Sequence, residues 1–375
     1  MSPRHTRQTF ALIAGGGTTG HVQPALAIAR ALVERGHKRS AVELVGSERG
    51  IEARLVPAAG FELTLLPGRG LQRKLSLQNV KSLWSLLVAF RRAWRLVGRR
   101  RPRVVISVGG YASVPCALAA VLRRVPVVVA EQNAQPGAAN RLVGRFAKAC
   151  AVSFPDTPLP RAVVTGNPVR PEVLAIDRAR DADAARTKLV VEPGRRLVLI
   201  FGGSLGALRI NRAAAEAART WAGRADLHVR HVVGSRDWDE ISGLVPVPPG
   251  SPLRYEAIEY DDDMPTSLAA ADVAVCRSGA STSFELLAVG LPSILVPSPF
   301  VTADHQTANA RHMAATGAAV VVPDAELDGA RLTAEVDALL ADPARMARMA
   351  TSARASARPH AAEEIAALAE AHARG

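Results

Sequence analysis

The sequence predicts an α/β fold of two Rossmann-like, doubly wound parallel-sheet domains that face each other across a cleft. Strand-like and helix-like segments alternate along the whole chain, and 375 residues are too many for one ordinary core. Two glycine-rich turns, at residues 15–20 and 202–206, each follow an apolar run. Such turns let backbone N–H groups approach a phosphate closely. We therefore expect one nucleotide-type half-site in each half of the chain.

The elements follow one scheme in both halves. In the first half, apolar runs predict strands at residues 10–14, 41–45, 104–108, 125–130 and 162–165 and helices at 24–35 and 114–122. The first of these helices begins at Pro24 and is closed by Gly36. In the second half, strands are predicted at residues 197–201, 227–233, 272–276 and 293–296 and helices at 211–221 and 279–289. We expect domains at residues 1–168 and 169–355, meeting near the turn at 166–170, and a helical C-terminal segment at 356–375.

Composition narrows the class of protein. The three cysteines, Cys116, Cys150 and Cys276, lie in apolar surroundings without paired spacing, which favours reduced thiols in a cytoplasmic protein. No run of about 18 apolar residues occurs, and we expect no signal peptide. The sequence therefore predicts a soluble or peripheral protein.

Positive charge is concentrated in residues 69–103, which hold eleven lysines and arginines and no acid. Apolar residues are interleaved at helical spacing, so an apolar face is predicted beside a basic one. Two interpretations stay open: docking on an anionic membrane surface, or an ordinary surface helix with solvated arginines. Nucleic acid is disfavoured because no known binding motif occurs. The candidate membrane-docking residues are Trp84, Phe90, Arg91, Arg92, Trp94 and Arg95.

His21 directly follows the first glycine turn and is a candidate general base, because histidine exchanges protons near neutral pH. The alternative is a histidine that caps the helix or packs. Gly15, Gly17 and Gly20 also have the spacing of a dinucleotide fingerprint, for which Glu48 is the only rough candidate for the ribose-binding acid.

Two acidic motifs in the second half each allow two interpretations. Thr282 and Glu285 have the spacing of a capping box, but a carboxylate near a helix start can also bind the hydroxyls of a ribose. The three aspartates at 261–263 could hold a divalent metal, or could favour the N-terminus of the helix that follows them. We favour the second interpretation, in which the aspartates stabilise the N-terminus of that helix.

Eight motifs then occur in an order that identifies a family. They are residues 16–21 (GGTTGH), 109–111 (GGY), 131–133 (EQN), 166–170 (GNPVR), 202–204 (GGS), 262–264 (DDM), 276–285 (CRSGASTSFE) and 305–309 (HQTAN). From about residue 10 to residue 359, the chain resembles the MurG family of peptidoglycan N-acetylglucosaminyltransferases, in glycosyltransferase family 28. Each motif alone is weak, but eight in order are specific.

The resemblance implies the two-domain GT-B fold and an activity. The implied reaction is inverting transfer of N-acetylglucosamine from UDP-N-acetylglucosamine (UDP-GlcNAc) to the 4-hydroxyl of the muramyl sugar of lipid I, giving lipid II. It implies no metal and no cofactor. The implied location is peripheral, at the cytoplasmic face of the cell membrane, where the anionic inner leaflet and other cell-wall synthesis proteins are expected partners.

The resemblance also implies roles for particular residues. His21 is the expected base, with Glu131 in reserve. Contacts to UDP-GlcNAc are expected at Thr18, Thr19, Gly20, Asn133, Arg170, Ser204, Asp261, Ala280, Ser281, Thr282, Ser283, Phe284, Glu285 and Gln306. Thr19, Leu205 and Asp261 depart from the family pattern, and Leu205 puts donor affinity in question. The alternatives are a UDP-GlcNAc 2-epimerase of the same architecture and, more remotely, a nicotinamide-dependent oxidoreductase.

Overall fold

The computed structural model describes residues 9–48, 50–67, 77–203, 206–244 and 247–375, with the side chains of Thr19 and of residues 77–83 outside the description. Contacts divide the chain into two units. One unit comprises Met1–Arg170 together with Arg358–Gly375, and the other comprises Pro171–Ala357.

The described residues of the first unit form a seven-stranded sheet in which all neighbouring strands are parallel. The strands are β1 (Ala11–Gly15), β2 (Val42–Ser47), β3 (Glu62–Leu66), β4 (Val104–Gly109), β5 (Val127–Glu131), β6 (Ala149–Val152) and β7 (Ala162–Val164). Their spatial order is β3-β2-β1-β4-β5-β6-β7. The strand order reverses between β1 and β4, which is the place where doubly wound sheets bind ligands.

Helices cover both faces of this sheet. They are α1 (Thr19–Glu34), α2 (Glu52–Ala58), α3 (Leu77–Arg100), α4 (Ser113–Leu122) and α5 (Ala138–Gly144). Leu12 packs in one core cluster with residues of α3 and α4, whereas its neighbour Ile13 packs in the other with residues of α1. Because successive side chains of a strand point to opposite faces, burial on both faces explains the unbroken apolar runs of the sequence.

The described residues of the second unit form a six-stranded, all-parallel sheet. Its strands are β8 (Arg196–Phe201), β9 (Leu227–Val232), β10 (Arg254–Ile258), β11 (Val273–Cys276), β12 (Ser293–Leu295) and β13 (Ala319–Val321), in the order β10-β9-β8-β11-β12-β13. The helices are α6 (Pro171–Leu174), α7 (Arg178–Lys188), α8 (Leu208–Thr220), α9 (Trp238–Ser242), α10 (Met264–Ala270), α11 (Ala280–Val289), α12 (His305–Ala315), α13 (Gly329–Leu340) and α14 (Pro343–Ser356). Short 3-10 helices lie at Arg39–Ala41, Thr302–Asp304 and Asp324–Glu326.

The last helix of the chain, α15 (Ala361–His372), belongs to the first unit. Ile365 and Ala369 on its inner face enter the same buried cluster as α1. On its outer edge, the Glu370 carboxylate accepts hydrogen bonds from Arg35 at 2.6 Å and from His37 at 2.9 Å. Apolar burial thus holds α15 against the first unit, and the ion pair at its outer edge adds a smaller stabilisation.

The predicted fold class, two doubly wound parallel sheets, is confirmed. The predicted start of the first helix at Pro24 is wrong, because α1 begins at Thr19. Thr18 is extended (φ −134°, ψ 158°) and serves as the N-cap residue directly after the glycine turn. Pro24 therefore lies in the second turn of α1, although proline is most typical of the first.

Candidate active site

The glycine turn after β1 touches a further pair of glycines, Gly109 and Gly110, which lies at the end of β4 on the same edge of the sheet. A Cβ added at Gly110 would lie 2.3 Å from the carbonyl oxygen of Gly16, and Gly110 has a φ of +82°. A Cβ added at Gly15 would lie 2.1 Å from Cγ2 of Val108. Only glycine allows this approach of backbone to backbone, which brings the residues after β1 and β4 into one place.

His21 stands in the first turn of α1, beside this contact. Its Nδ1 atom lies 3.1 Å from the Thr18 hydroxyl oxygen. The opposite edge of the ring faces Gly109, where an added Cβ would be 3.2 Å from both Cδ2 and Nε2. His21 is partly exposed, and Gly20 beside it is exposed. The imidazole is thus held at one nitrogen by a neighbouring side chain.

Glu131 ends β5 and is buried within a ring of N–H groups. Its Oε1 accepts from the backbone N–H of Asn133 at 3.0 Å and from Asn133 Nδ2 at 3.3 Å. Its Oε2 accepts from Asn140 Nδ2 at 2.9 Å and from the backbone N–H of Gly137 at 3.1 Å. Asn140 Nδ2 also lies 3.3 Å from the Cβ position of Gly109, the glycine that faces His21. The structure therefore brings His21, Glu131 and Asn133 into one neighbourhood.

Glu52, in the first turn of α2, was not singled out from the sequence. Its carboxylate accepts hydrogen bonds from the backbone N–H of Gly17 at 3.1 and 3.2 Å and from the backbone N–H of Ser47 at 2.7 Å. Glu48, the acid considered for a dinucleotide ribose, instead forms an exposed ion pair with Arg92 at 3.1 Å. A carboxylate therefore occupies the turn where a dinucleotide would place its pyrophosphate, which disfavours the oxidoreductase.

The second glycine turn runs from Gly202 into α8, and a pocket of about 760 Å³ opens beside it within the second unit. Ser204 and Leu205 lie outside the described residues. The pocket is bordered by both ends of the turn, by four arginines and by the loop after β12; its lining includes Gly202, Gly206, Arg209, Arg212, Arg236, Arg277, Ser298, Phe300 and Gln306. A glycine turn, a helix N-terminus and several guanidinium groups together suit an anionic ligand.

Two of these arginines are fixed by one buried acid. Asp324 accepts from Arg277 Nη1 at 2.5 Å and pairs with Arg209 Nε at 3.2 Å. Arg277 Nη1 also donates to the carbonyl oxygen of Val296 at 3.1 Å. Glu216 and Asp328 also line the pocket, and Arg212 and Arg236 pair with Glu240 and Asp237, so acids partly neutralise the four guanidinium groups.

Gln306, at the start of α12, is oriented by its neighbours. Its Oε1 accepts a hydrogen bond from the backbone N–H of Ser298, in the loop after β12, at 2.8 Å. The side-chain NH₂ group is therefore directed away from that N–H. Its backbone carbonyl accepts from the Ser278 hydroxyl at 2.8 Å, and Asn309 Nδ2 donates to the Ser278 carbonyl at 3.1 Å. These bonds join the start of α12 to the turn that precedes α11.

A buried hydrogen-bond network supports the second glycine turn. Asp237 Oδ2 accepts from Asn211 Nδ2 at 3.0 Å and lies 2.8 Å from the Cβ position of Gly206. Asn211 Oδ1 is 3.0 Å from His231 Nε2, and His231 Nδ1 is 2.7 Å from the Tyr255 hydroxyl. Because Asn211 Oδ1 is an acceptor, Nε2 donates and Nδ1 accepts from the tyrosine. Burial lowers the pKa of His231 to about 4.

Helix α11 begins at Ala280 with Gly279 as its N-cap, and no side chain caps it. The capping-box interpretation of Thr282 and Glu285 is therefore wrong, because Thr282 lies inside the helix. Ala280, Ser283 and Phe284 are buried, whereas Ser281, Thr282 and Glu285 are partly exposed. Within the described part of the chain, the buried hydroxyl oxygens of Ser281 and Ser283 have no hydrogen-bond partner.

The aspartates before α10 serve the local structure. Asp261 is buried, and its Oδ2 accepts from the Ser267 hydroxyl at 2.5 Å and faces Arg230 Nε at 3.4 Å. Asp263 is 2.5 Å from Lys188 Nζ, whose hydrogen bond lowers the pKa of that carboxyl. Within the described ranges, no group of three or more His, Cys, Asp or Glu side chains is arranged to hold a metal ion. Arg170, the last residue before the second unit, is partly exposed.

From Trp84 onward, α3 presents an exposed apolar and basic surface, while residues 69–76 of the basic segment lie outside the described residues. Phe90 and Trp94 are half-buried and pack against the core, and Trp94 also stacks under Arg123 at 4.0 Å. The candidate docking residues on the open surface are Trp84, which is 68% exposed, and Arg91, Arg92 and Arg95. None of the described helices combines the length and hydropathy needed to cross a bilayer.

Comparison with known proteins gives matches over both units. The models of the N-terminal and C-terminal domains of glycosyltransferase family 28 match residues 11–152 and 197–365. A UDP-N-acetylglucosamine--N-acetylmuramyl-(pentapeptide) pyrophosphoryl-undecaprenol N-acetylglucosamine transferase of Salinibacter ruber is 41% identical over 365 residues, which are 96% of each chain.

Two solved structures are similar in fold to this chain over nearly its whole length. MurG of Acinetobacter baumannii is 28% identical and has a TM-score of 0.78, covering 97% of this chain and 99% of that chain. The UDP-GlcNAc 2-epimerase of Neisseria meningitidis bound to UDP-GlcNAc has a TM-score of 0.66, covering 96% of this chain and 100% of that chain. At 14% identity, the likeness to the epimerase concerns the fold alone.

Proposed function

Since the chain belongs to glycosyltransferase family 28, among its MurG-type N-acetylglucosaminyltransferases, we propose a route by which its residues transfer the sugar. The enzyme moves N-acetylglucosamine from UDP-GlcNAc to lipid I and so makes lipid II, the precursor of peptidoglycan. The observation that carries this conclusion is the 41% identity to the Salinibacter ruber transferase along 96% of both chains. The epimerase alternative has only a shared fold in its favour.

We propose that the second unit, within the domain at residues 169–355, holds the donor. The diphosphate would bind at Gly202, Ser204 and the start of α8, where N–H groups and nearby arginines offset its charge. Glu285 would accept hydrogen bonds from the ribose hydroxyls. The remaining donor contacts are proposed at Asp261 and along α11, at Ala280, Ser281, Thr282, Ser283 and Phe284, for the uracil and ribose. Gln306 is proposed for the sugar hydroxyls, and Arg170 contributes from the turn where the two domains meet in sequence.

The Asp261 contact would be made by its backbone, because its carboxylate is buried against Ser267 and Arg230. In the same way, buried Ser283 and Phe284 would shape the site without offering side chains to the ligand. The polar side chains on α11 open to a ligand are then Thr282 and Glu285. The Ser281 hydroxyl oxygen is buried like that of Ser283, so Ser281 would contact the donor by its backbone.

We propose that the first unit, within the domain at residues 1–168, takes the acceptor and supplies the base. His21 Nδ1–H would donate to the Thr18 hydroxyl, so that Nε2 takes the proton from the 4-hydroxyl of the muramyl sugar. As that proton leaves, the acceptor oxygen forms a bond to C1 of N-acetylglucosamine and the bond from C1 to the UDP oxygen breaks. UDP leaves with the electron pair from the opposite face, which inverts C1.

Other groups of the first unit would position the sugar. Thr18, Thr19, Gly20 and Asn133 are proposed as its ligands. Glu131 is the second candidate for the base, but four N–H groups already donate to its carboxylate. Those donors fix Asn133 and the following loop, so we assign Glu131 first to positioning. No metal or cofactor takes part in this proposal.

We propose that α3 docks the enzyme on the membrane that carries its lipid-linked acceptor, at the cytoplasmic face. Trp84 and the neighbouring exposed arginines provide an apolar anchor with positive charge around it. Anionic lipids attract such a surface with roughly 1 kcal/mol per basic side chain. Other cell-wall synthesis proteins could join the enzyme there.

The test is lipid II formation from UDP-GlcNAc and a soluble lipid I analogue. His21→Ala is expected to lower turnover by about 100-fold or more, because a positioned base contributes about 10² to 10⁴ in rate. Its affinity for UDP should not change, because the proposed UDP ligands lie elsewhere. The control is His360→Ala, at an exposed histidine before α15. Normal turnover by His21→Ala would remove His21 as the base, and epimerised UDP-GlcNAc without lipid II would overturn the function.

A further inference from the structure

A buried acid beside the first glycine turn has no part in the reaction described so far. Glu52 is 1% exposed. An added Cβ would come within 2.2 Å of its side chain at Gly16, 2.4 Å at Gly46 and 1.8 Å at Gly50. Any side chain at these three positions would overlap the carboxylate or its stem. Three glycines from two loops and a strand thus enclose one acidic side chain.

The enclosed carboxylate is held by directed hydrogen bonds. Gly17 N–H donates to both of its oxygens, at 3.2 and 3.1 Å. Ser47 donates to Oε1 twice, from its backbone N–H at 2.7 Å and from its hydroxyl at 3.0 Å. A buried carboxylate is tolerated only where such donors replace its hydration. These donors are the kind of backbone groups with which a glycine turn usually binds a phosphate.

We propose that Glu52 is an internal anion that fills the first glycine turn in place of a phosphate and thereby positions His21. This proposal rests on the role given above to His21. Gly17 is followed by Thr18, which occupies the N-cap position of α1 and whose hydroxyl oxygen lies 3.1 Å from His21 Nδ1. A fixed Gly17 peptide therefore fixes the group that orients the base.

The same arrangement assigns the two glycine turns of the chain different tasks. In the first turn, the Gly17 N–H already donates to an anion of the protein itself, the Glu52 carboxylate. We therefore expect the Gly17 N–H to bind no phosphate, from UDP or from the acceptor, and the turn to act as a rigid support. Binding of diphosphate is left to the second turn.

The experiment compares Glu52→Gln with Glu43→Gln in the lipid II assay. Glu43 is a matched control, because it lies in the same unit, is similarly buried, accepts a hydrogen bond from Thr64 and forms an ion pair with Arg100. Replacing one Glu52 oxygen by NH₂ sets a donor against Gly17 N–H. We expect kcat of Glu52→Gln to fall by about 10- to 100-fold, with KM for UDP-GlcNAc unchanged. Glu43→Gln should lower Tm without this loss of kcat.

Two further measurements separate positioning from folding. In Glu52→Ala, added acetate should restore kcat in a saturable way, and it should not affect the wild type. In the wild type, the Gly17 amide should exchange slowly with solvent, and its NMR signal should not move when pyrophosphate is added. This last measurement holds even if the variants do not fold.

Failure of the Glu52 proposal and failure of the proposed function give different results. Unchanged kcat in Glu52→Gln, an equal loss in Glu43→Gln, or a Gly17 signal that titrates with pyrophosphate would each overturn the proposal. Absence of lipid II from the wild type would refute the proposed function instead, while the Gly17 measurements would still test whether Glu52 fills the turn.

Discussion

His231 should make the stability of the second unit depend on pH in a defined window. Burial lowers its pKa from the ordinary 6.5 to about 4, and the neutral ring donates to Asn211 and accepts from Tyr255. Between pH 6.5 and pH 4, the unfolded chain therefore binds a proton that the folded chain does not. The free energy of unfolding should fall by about 1.4 kcal/mol per pH unit in this window, about 3 kcal/mol in all, and the contribution ends below it.

The assay is urea unfolding at a series of pH values between 7 and 4, followed by tryptophan fluorescence, to which the buried Trp221 of this unit contributes. Other groups also titrate here, so the informative quantity is the difference between wild type and His231→Gln. That variant should be less stable at pH 7 but should lose less stability on acidification, so the two curves converge. His360→Gln, at an exposed site, should keep the wild-type slope. Parallel curves for wild type and His231→Gln would refute the reasoning.

Two further predictions concern binding. Glu285→Ala should weaken UDP binding by about 10- to 100-fold in calorimetry, because a charged acceptor for the ribose is lost; an unchanged Kd would remove Glu285 from the donor site. Neutralising Arg91, Arg92 and Arg95 together to Gln should weaken adsorption to vesicles containing anionic lipid by roughly 100-fold, at about 1 kcal/mol per charge, while activity on a soluble acceptor is retained. If the triple variant and the wild type adsorb equally, α3 is an ordinary surface helix with solvated arginines.

The sequence predicted the central strands well, because strands covered on both faces are apolar throughout. Residues 104–108 and 197–201 are such runs, and they correspond to β4 and β8. Among the edge strands, the sequence predicts β7 but not β3, β10 or β13, and it also misses the buried strand β6. β3 has the sequence ELTLL and β10 has RYEAI, and both are mostly half-buried, so neither shows an unbroken apolar run.

The candidate site was predictable where it is local in sequence and not where it depends on tertiary contact. His21 follows the first glycine turn directly, so its place at the carboxyl end of the sheet could be predicted. Glu52 could not, because an acid in the first turn of a helix is an ordinary surface residue by pattern. Only the fold brings it to Gly17, 35 residues away. In the same way, the spacing of Thr282 and Glu285 fits a capping box, but the helix begins two residues earlier, at Ala280.

The most direct test of the account is the structure of the product made by the wild-type enzyme. Purified protein, UDP-GlcNAc and a lipid I analogue are incubated, the glycan product is analysed by NMR, and released UDP is measured in the same sample. The account predicts one UDP per disaccharide, with a β linkage from N-acetylglucosamine to the 4-hydroxyl of the muramyl sugar. An α linkage, or release of UDP with no disaccharide, would contradict it.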